Sequence, residues 1–393
     1  MNIKFSTLAA GLVFAVSANA IEMTDYKLTE SFYDESYVGM NFDLKDGNQD
    51  QTSYNGVFTG DYKAKFNSLP SAWDVNVNGK ANISRGGSDG DSSEDNYVIN
   101  ASGHYDKYLE SYENVFLYGS AEVGFRKLTG EDKADDPFLK VGVGAGYGRM
   151  YNATPLAKAL RIAEDLRDYG IISELNDDAL LKLASVIDRE SEFKSKYGLV
   201  EYKKYWFEAM EESLKNAGAM KDDTLGAFGI VRIDEILFDE RVSPRYHGWL
   251  VRAGVGQILS NYDGESTDPT LDIMFEYGKP IGYMAQFYNV AKYSTILSDD
   301  IGHIFTNNMS YTYEVSNAID WENSWNFRYD KSSDTTIEDV YTNRLASTFR
   351  FYVANRLSLN TTLSLTSVED DIDNNGNDDL ETRVNFGITY RLK

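Results

Sequence analysis

Apolar and polar residues alternate along most of this chain. In the final segment Val384, Phe386, Ile388, Tyr390 and Leu392 share one face, and Arg383, Asn385, Thr389 and Arg391 share the other. The same period of two sets Ile319, Trp321, Trp325, Phe327 and Tyr329 opposite Asp320, Glu322, Asn326 and Arg328. It also sets Leu357, Leu359, Leu363 and Leu365 opposite Ser358, Asn360, Thr362 and Ser364. Such alternation makes a strand with one apolar and one polar face. Fourteen strands are predicted, at 37–45, 54–66, 72–84, 96–106, 114–127, 137–150, 245–259, 270–278, 281–292, 303–315, 318–330, 340–353, 356–367 and 381–392. Misreading one end strand would make the count twelve or sixteen.

The gaps between these strands carry a second pattern. Odd-numbered gaps are long and acidic, such as Gly86 to Asp95 and Val368 to Leu380. Even-numbered gaps are mostly short, such as Ser316-Asn317 and Ala354-Asn355. Long loops at one end and tight turns at the other describe an all-β, up-and-down antiparallel transmembrane barrel. One even gap departs from this, running from Asn152 to Pro244. There the period changes to about 3.6 residues, with Leu156, Leu160, Ala163 and Leu166 following Thr154-Pro155 as an expected helix start. A second helix is expected after Asn176 or Asp177, a third across Tyr202 to Leu214, and a short one over Arg232 to Glu240. The expected organisation is therefore 1–20 signal peptide, 21–36 N-terminal segment, 37–151 strands one to six, 152–244 helical insert and 245–393 strands seven to fourteen. Gap parity places the insert on the periplasmic side or in the lumen.

Composition sharpens this picture. Beyond the N-terminal region no apolar run is long enough for a membrane helix. Aromatics make up 13% of the residues, with 28 Tyr, and there are 31 Gly, which suits barrel strands with aromatic girdles. Mean hydropathy of −0.44 is compatible with a wall that is apolar on one face alone. The net charge of −24 argues against nucleic acid as a partner, and the absence of Cys excludes disulfides and thiolate metal sites. Lys4, the apolar stretch Leu8 to Ala18 and Ala18-Asn19-Ala20 read as a secretory signal with its cleavage site.

The chain's end carries a resemblance. Asn385, Gly387, Tyr390 and Leu392 resemble the C-terminal assembly signal of Gram-negative outer-membrane β-barrel proteins of the porin-like class, although Lys393 follows where an aromatic usually ends the chain. The resemblance implies outer-membrane lipid and the barrel-assembly machinery as partners.

Candidate chemistry lies in four places. The polar register of the strands holds Lys63, Lys65, Lys80, Arg328, Arg344, Arg350, Arg356, Arg383 and Arg391 as lumen-lining candidates. Such a wall either attracts anionic solutes or pairs internally with acids such as Glu314, Asp320 and Glu322. Strands six and seven carry Gly142, Gly144, Gly146, Gly254 and Gly256 on one face. This row serves curvature or offers a smooth wall to the insert. The insert itself either plugs the pore or docks a periplasmic protein. Asp371, Asp373, Asn375 and Asp379 resemble the start of an EF-hand-type calcium loop, with Gly376 at the turn but Thr382 in the place of the bidentate Glu. The other reading is a solvated acidic loop. No further cofactor is expected. The three His residues have no nucleophile or convincing acid partner beside them, so no catalytic set is assigned and no enzyme is expected. The expected activity is transport of small polar solutes, anions among them. The alternative is a non-conducting structural or export barrel that uses the insert for docking.

Overall fold

The computed structural model describes residues 21–27, 30–112, 114–297, 302–332, 339–354, 356–370, 377 and 379–392. Fourteen strands form one closed antiparallel ring, each bonded to its chain neighbours, with the first closing on the last. They are β1 (Ser31–Lys45), β2 (Ser53–Asn67), β3 (Ser71–Arg85), β4 (Ser93–Tyr108), β5 (Val115–Lys127), β6 (Phe138–Asn152) and β7 (Tyr246–Ser260). The ring continues with β8 (Thr270–Ile281), β9 (Ala285–Ile296), β10 (His303–Ser316), β11 (Ile319–Lys331), β12 (Val340–Ala354), β13 (Leu357–Glu369) and β14 (Glu381–Arg391).

The outward register is apolar and uncovered. Val38, Met40, Phe42, Val143, Val255, Leu345, Leu363, Val384 and Phe386 are all exposed, from 41% at Val38 to 67% at Phe386. An apolar belt around a closed ladder leaves no unpaired edge along the paired strands and belongs against lipid. Among the described residues no helix is long and apolar enough to cross a membrane. The closing seam is short. Tyr37–Met40 pair with Ile388–Arg391, whereas β1 and β2 pair from Ser31 to Lys45. Above the seam the Asn41 side chain reaches across to the Phe386 carbonyl at 2.9 Å.

Two boundaries and one helix cap differ from the sequence reading, which takes Thr154 as the cap. β1 starts at Ser31 rather than 37, because its first residues pair with the end of β2. The turn after β8 falls at Gly282 (φ +59) instead of Gly278, so Pro280 lies inside the strand and β9 begins at Ala285. A Cβ on Gly278 would strike Met150 and the Tyr246 carbonyl, so that glycine serves a close approach. The insert starts at α1 (Thr154–Asp168), but Thr154 is not its cap residue. Asn152 Oδ1 accepts from the Thr154 amide at 3.0 Å.

The insert continues with α2 (Asp177–Asp188), capped by Asn176, whose side chain accepts from the Ala179 amide at 2.9 Å. α3 (Glu190–Asn216) bends at Gly198 (φ +74), and α4 (Gly226–Asp234) runs on into a π turn at Glu235–Asp239. Leu156, Ile162, Leu166, Leu183, Trp206, Met210, Leu214 and Ile233 form one core. Met23 and Tyr26 from the N-terminal segment join it, which the sequence reading missed. The Tyr26 hydroxyl donates to the Ala184 carbonyl at 3.2 Å and to Asp188 Oδ2 at 3.1 Å. His247, whose register matches that of outward Trp249, is 5% exposed and bonds the Tyr26 carbonyl at 2.8 Å.

Candidate functional site: a basic passage beside a bridged lumen

Inward side chains of β2–β9 meet across the barrel. Arg252 of β7 grips Asp106 of β4 with both ends of its fork, at 3.0 and 2.6 Å. Lys65 of β2 reaches Glu276 of β8 and the Tyr288 hydroxyl of β9, each at 2.9 Å. Arg252 also lies 3.7 Å from Glu276. β4 and β7 are not neighbours in the sheet, nor is β2 a neighbour of β8 or β9. The bonds therefore run across the lumen, and they fill this side of it. Asp106, Arg252 and Glu276 are at most 5% exposed.

The open space lies against the remaining wall. A cavity of ≈ 190 Å³ is lined by Arg241, Arg350, Arg356 and Arg391, by Tyr37 and Tyr352, and by Asp61 with several hydroxyls. A larger one of ≈ 420 Å³ lies between the insert and the wall of β1 and β14. Tyr37, Arg241, Arg356 and Arg391 line both cavities. These shared residues lie between the two spaces as a neck of three guanidinium groups and a phenol.

The insert builds one side of that neck. It is seated on the strand ends that carry the short turns. Glu314, near the end of β10, accepts from the Ser243 amide at 2.7 Å and from Arg245 Nη2 at 2.7 Å, and pairs with Arg161 of α1. Tyr283, in the turn after β8, donates to Glu164 of α1 at 2.6 Å. Arg391, the last residue of β14, donates to the carbonyls of Asp239 at 2.6 Å and of Phe238 and Glu240 at 3.3 Å. This is how the carbonyls at the end of the helical segment find partners. Arg241, just beyond it, projects over the Tyr37 ring at 5.1 Å and lies 3.6 Å from Asp320. Its Nε is buried without a hydrogen-bond partner among the described residues.

The predicted lumen residues divide into two groups. Lys65 is paired as above, Arg328 with Asp330, Arg383 with Glu381, and Arg350 lies 3.6 Å from Glu322. Lys63, Lys80, Arg344 and Arg356 lie on the inward register or at its end with no ion pair among the described residues. The first four residues pair with acids, as the internal-pairing reading expected, and the other four do not among the described residues. Sequence reasoning missed Asp106, Arg252, Glu276, Arg241 and Arg245. Their partners lie on strands or segments far apart in the chain, so no local pattern marks them.

The glycine row corrects the sequence reading of an insert-facing wall. The atoms nearest to a Cβ on Gly144 or Gly254 belong to Tyr118 and to the backbone of the opposing strand, β7 or β6. For Gly146 they belong to Phe116 and the Val251 carbonyl, for Gly142 to Ser120 and β7 backbone, and for Gly256 to Asp272, Thr270 and Lys140. The glycines make room for the barrel's own side chains, with Tyr118 over the seam of β6 and β7, and not for the insert.

In the last strand Tyr390 and Leu392 face outward and are exposed, and Asn385 accepts from the Asn41 amide at 3.2 Å. Asp371, Asp373 and Asn375 lie outside the described residues, and Asp379 is exposed. Among the described residues no cluster of His, Cys, Asp and Glu is arranged to hold a metal.

No protein-family model matches the chain, and no curated protein matches it. Solved structures similar to it include Acinetobacter baumannii OccAB1 at 8% identity, covering 93% of this chain and 97% of that one with a TM-score of 0.30. The outer membrane protein Omp33 of the same organism has 8% identity, 93% and 99% coverage, and a TM-score of 0.30. A BenF-like porin from Pseudomonas fluorescens has 9% identity, 93% and 98% coverage, and a TM-score of 0.31. At such values the assignment of fold rests on the chain's own strand ladder, which is that of a closed fourteen-strand β-barrel.

Proposed function

We propose that the protein is a porin-like channel of a Gram-negative outer membrane that passes small polar solutes and favours anions. The observation that carries this reading is the neck of Tyr37, Arg241, Arg356 and Arg391 joining two cavities. Guanidinium groups around a narrow passage lower the barrier to an anion and raise it to a cation. Arg356 has no ion pair among the described residues, so its charge is free to act on a solute. The apolar outer wall supports placement in lipid, and the last strand supports delivery by the barrel-assembly machinery. The insert sets the width of the passage. The test is planar-bilayer recording of the purified protein in a salt gradient. Discrete conductance with a reversal potential on the anion side is expected, and Arg356→Glu should move that potential toward the cation side. A folded barrel that passes no current would overturn the reading.

A second reading is that the insert docks a periplasmic protein. It is favoured by Phe228 and Val231 of α4 and by Leu199 and Val200 of α3, which are exposed on a helical unit that already has its own core. Pull-down with the full chain, against Phe228→Ser, tests it. Loss of a captured periplasmic protein is the expected result, and equal capture would reject this surface.

A further inference from the structure

The outer wall is not uniformly apolar. On β2 to β8 the outward positions at mid-height are Gly60, Val77, Ala101, Ala121, Val143, Ala253 and Ile273. On β9 to β12 the outward register carries Asn289, Asn307, Asn323 and Asn343, with Ser347 beside Asn323. The pairing sets them around one point. Asn289 faces Met309 across the ladder, Met309 faces Trp325, Asn307 lies one row above and Asn323 one row below. Beside Asn323 the wall has a recess of ≈ 340 Å³, lined also by Met309, Tyr311, Trp325, Leu345 and Ser347 among others.

Ser347 accepts from the Trp321 indole at 2.9 Å, and Asn343 accepts from Trp325 at 3.4 Å. Asn289, Asn307 and Asn323 make no side-chain hydrogen bond among the described residues, and Asn289 Oδ1 is buried without a partner. Unsatisfied amides in hydrocarbon are costly, because nothing there replaces the hydrogen bonds they make in water. Asn289 Oδ1 is already covered by its own chain, but the amides of Asn307 and Asn323 find partners if protein rather than lipid covers this wall.

We propose that β9–β12 are the interface of a two-fold homodimer within the membrane. This inference rests on the membrane placement proposed above and is independent of conduction. A carboxamide both donates and accepts, so a patch of amides is complementary to itself. In an isologous contact each Asn meets the same chemistry on its copy, and no foreign partner is needed. The aromatic surround of Phe305, Tyr311, Trp321, Trp325, Phe327 and Phe349 suits a protein contact. Size agrees. Four strands about 4.8 Å apart in a band about 25 Å tall present roughly 500 Å² in projection and more in accessible surface. That is the order of the roughly 800 Å² per partner of a standard interface.

The chain has no cysteine, so one engineered thiol reports alone. Asn289→Cys, Asn307→Cys and Asn323→Cys should each be treated in native membranes with a short bismaleimide, with Val143→Cys on the far wall as control. The expected result is a product of twice the monomer mass from at least one wall variant, several-fold above the control. The triple variant Asn289→Leu/Asn307→Leu/Asn323→Leu should fold, as judged by membrane fractionation and a heat-dependent gel shift. By mass-resolved size-exclusion it should lose most of the dimer. Monomers throughout, adducts of another mass, or a dimer indifferent to the leucines would each overturn the proposal. Failure to fractionate with membranes would instead defeat the placement on which it rests.

Discussion

Glu314 of the barrel and Arg245 at the end of the insert are joined at 2.7 Å, with side chains 2% and 0% exposed. Arg161 of α1 holds the other oxygen of the same carboxylate. One acid therefore fastens both ends of the helical insert to the strand ends. Removing its charge would leave the buried Arg245 guanidinium without its counter-charge, a loss of about 3–5 kcal/mol, while Arg161 keeps Glu240 at 3.4 Å. Glu314→Gln should loosen the insert while the strand ladder persists. Limited proteolysis within 152–244 should become faster, and an unchanged cleavage rate would deny the anchoring role.

The Arg252–Asp106 bridge predicts a mutational coupling. Asp106→Asn leaves a buried Arg short of its counter-charge, so it should lower the temperature of barrel unfolding markedly. Arg252→Met with Asp106→Asn removes the orphan charge and should recover part of that loss. Gel-shift melting of Asp106→Asn, Arg252→Met and the double variant measures this. Strictly additive effects would mean that the bridge is not a unit.

The glycine seam gives a prediction about the barrel rather than the insert. A Cβ at Gly144 or Gly254 collides with backbone across the pair and with Tyr118. Gly144→Leu and Gly254→Leu should reduce the yield of folded barrel in refolding assays. The proteolytic resistance of the insert in the folded fraction should be unchanged. Release of the insert from a well-folded barrel would restore a plug against this wall.

Asp188 of α2 makes the N-terminal segment sensitive to pH. Burial, outweighing its bond from Tyr26, pushes its carboxyl up to about 7. The protonated form is thus favoured when the segment is packed. Stability from this packing is complete below the unfolded value near 4. It declines as pH rises through about 7, where the folded carboxyl ionises. Hydrogen exchange of residues 21–27 should therefore accelerate between about pH 4 and 7 beyond the intrinsic rate. Asp188→Asn should flatten that trend. The same slope in the variant would assign it to another group.

Gap parity predicts sidedness. An epitope inserted at Gly90, in the loop between β3 and β4, should be labelled on intact cells, and one at Lys221 in the insert should not. Surface labelling at Lys221 would invert the barrel.

The amino-acid pattern alone determined the strands, because a strand buried on one side writes its register into consecutive residues. Thirteen of the fourteen strand starts fall within four residues of the expected ones, and the helices of the insert follow Leu156, Leu180 and Trp206 as their spacing requires. The exception is the start of β1, where Tyr33, Glu35 and Tyr37 face the insert and their register depends on what covers it. What the tertiary structure decided are the relations between distant strands. Ring closure brings Lys65 to Glu276 and Asp106 to Arg252, and the seated insert brings Arg241 to Tyr37 and Arg391 to the Asp239 carbonyl. Alternation states which way a side chain points, inward or outward. It does not state what waits on the far side of the lumen, because that depends on the circumference of the ring and on where the insert comes to rest.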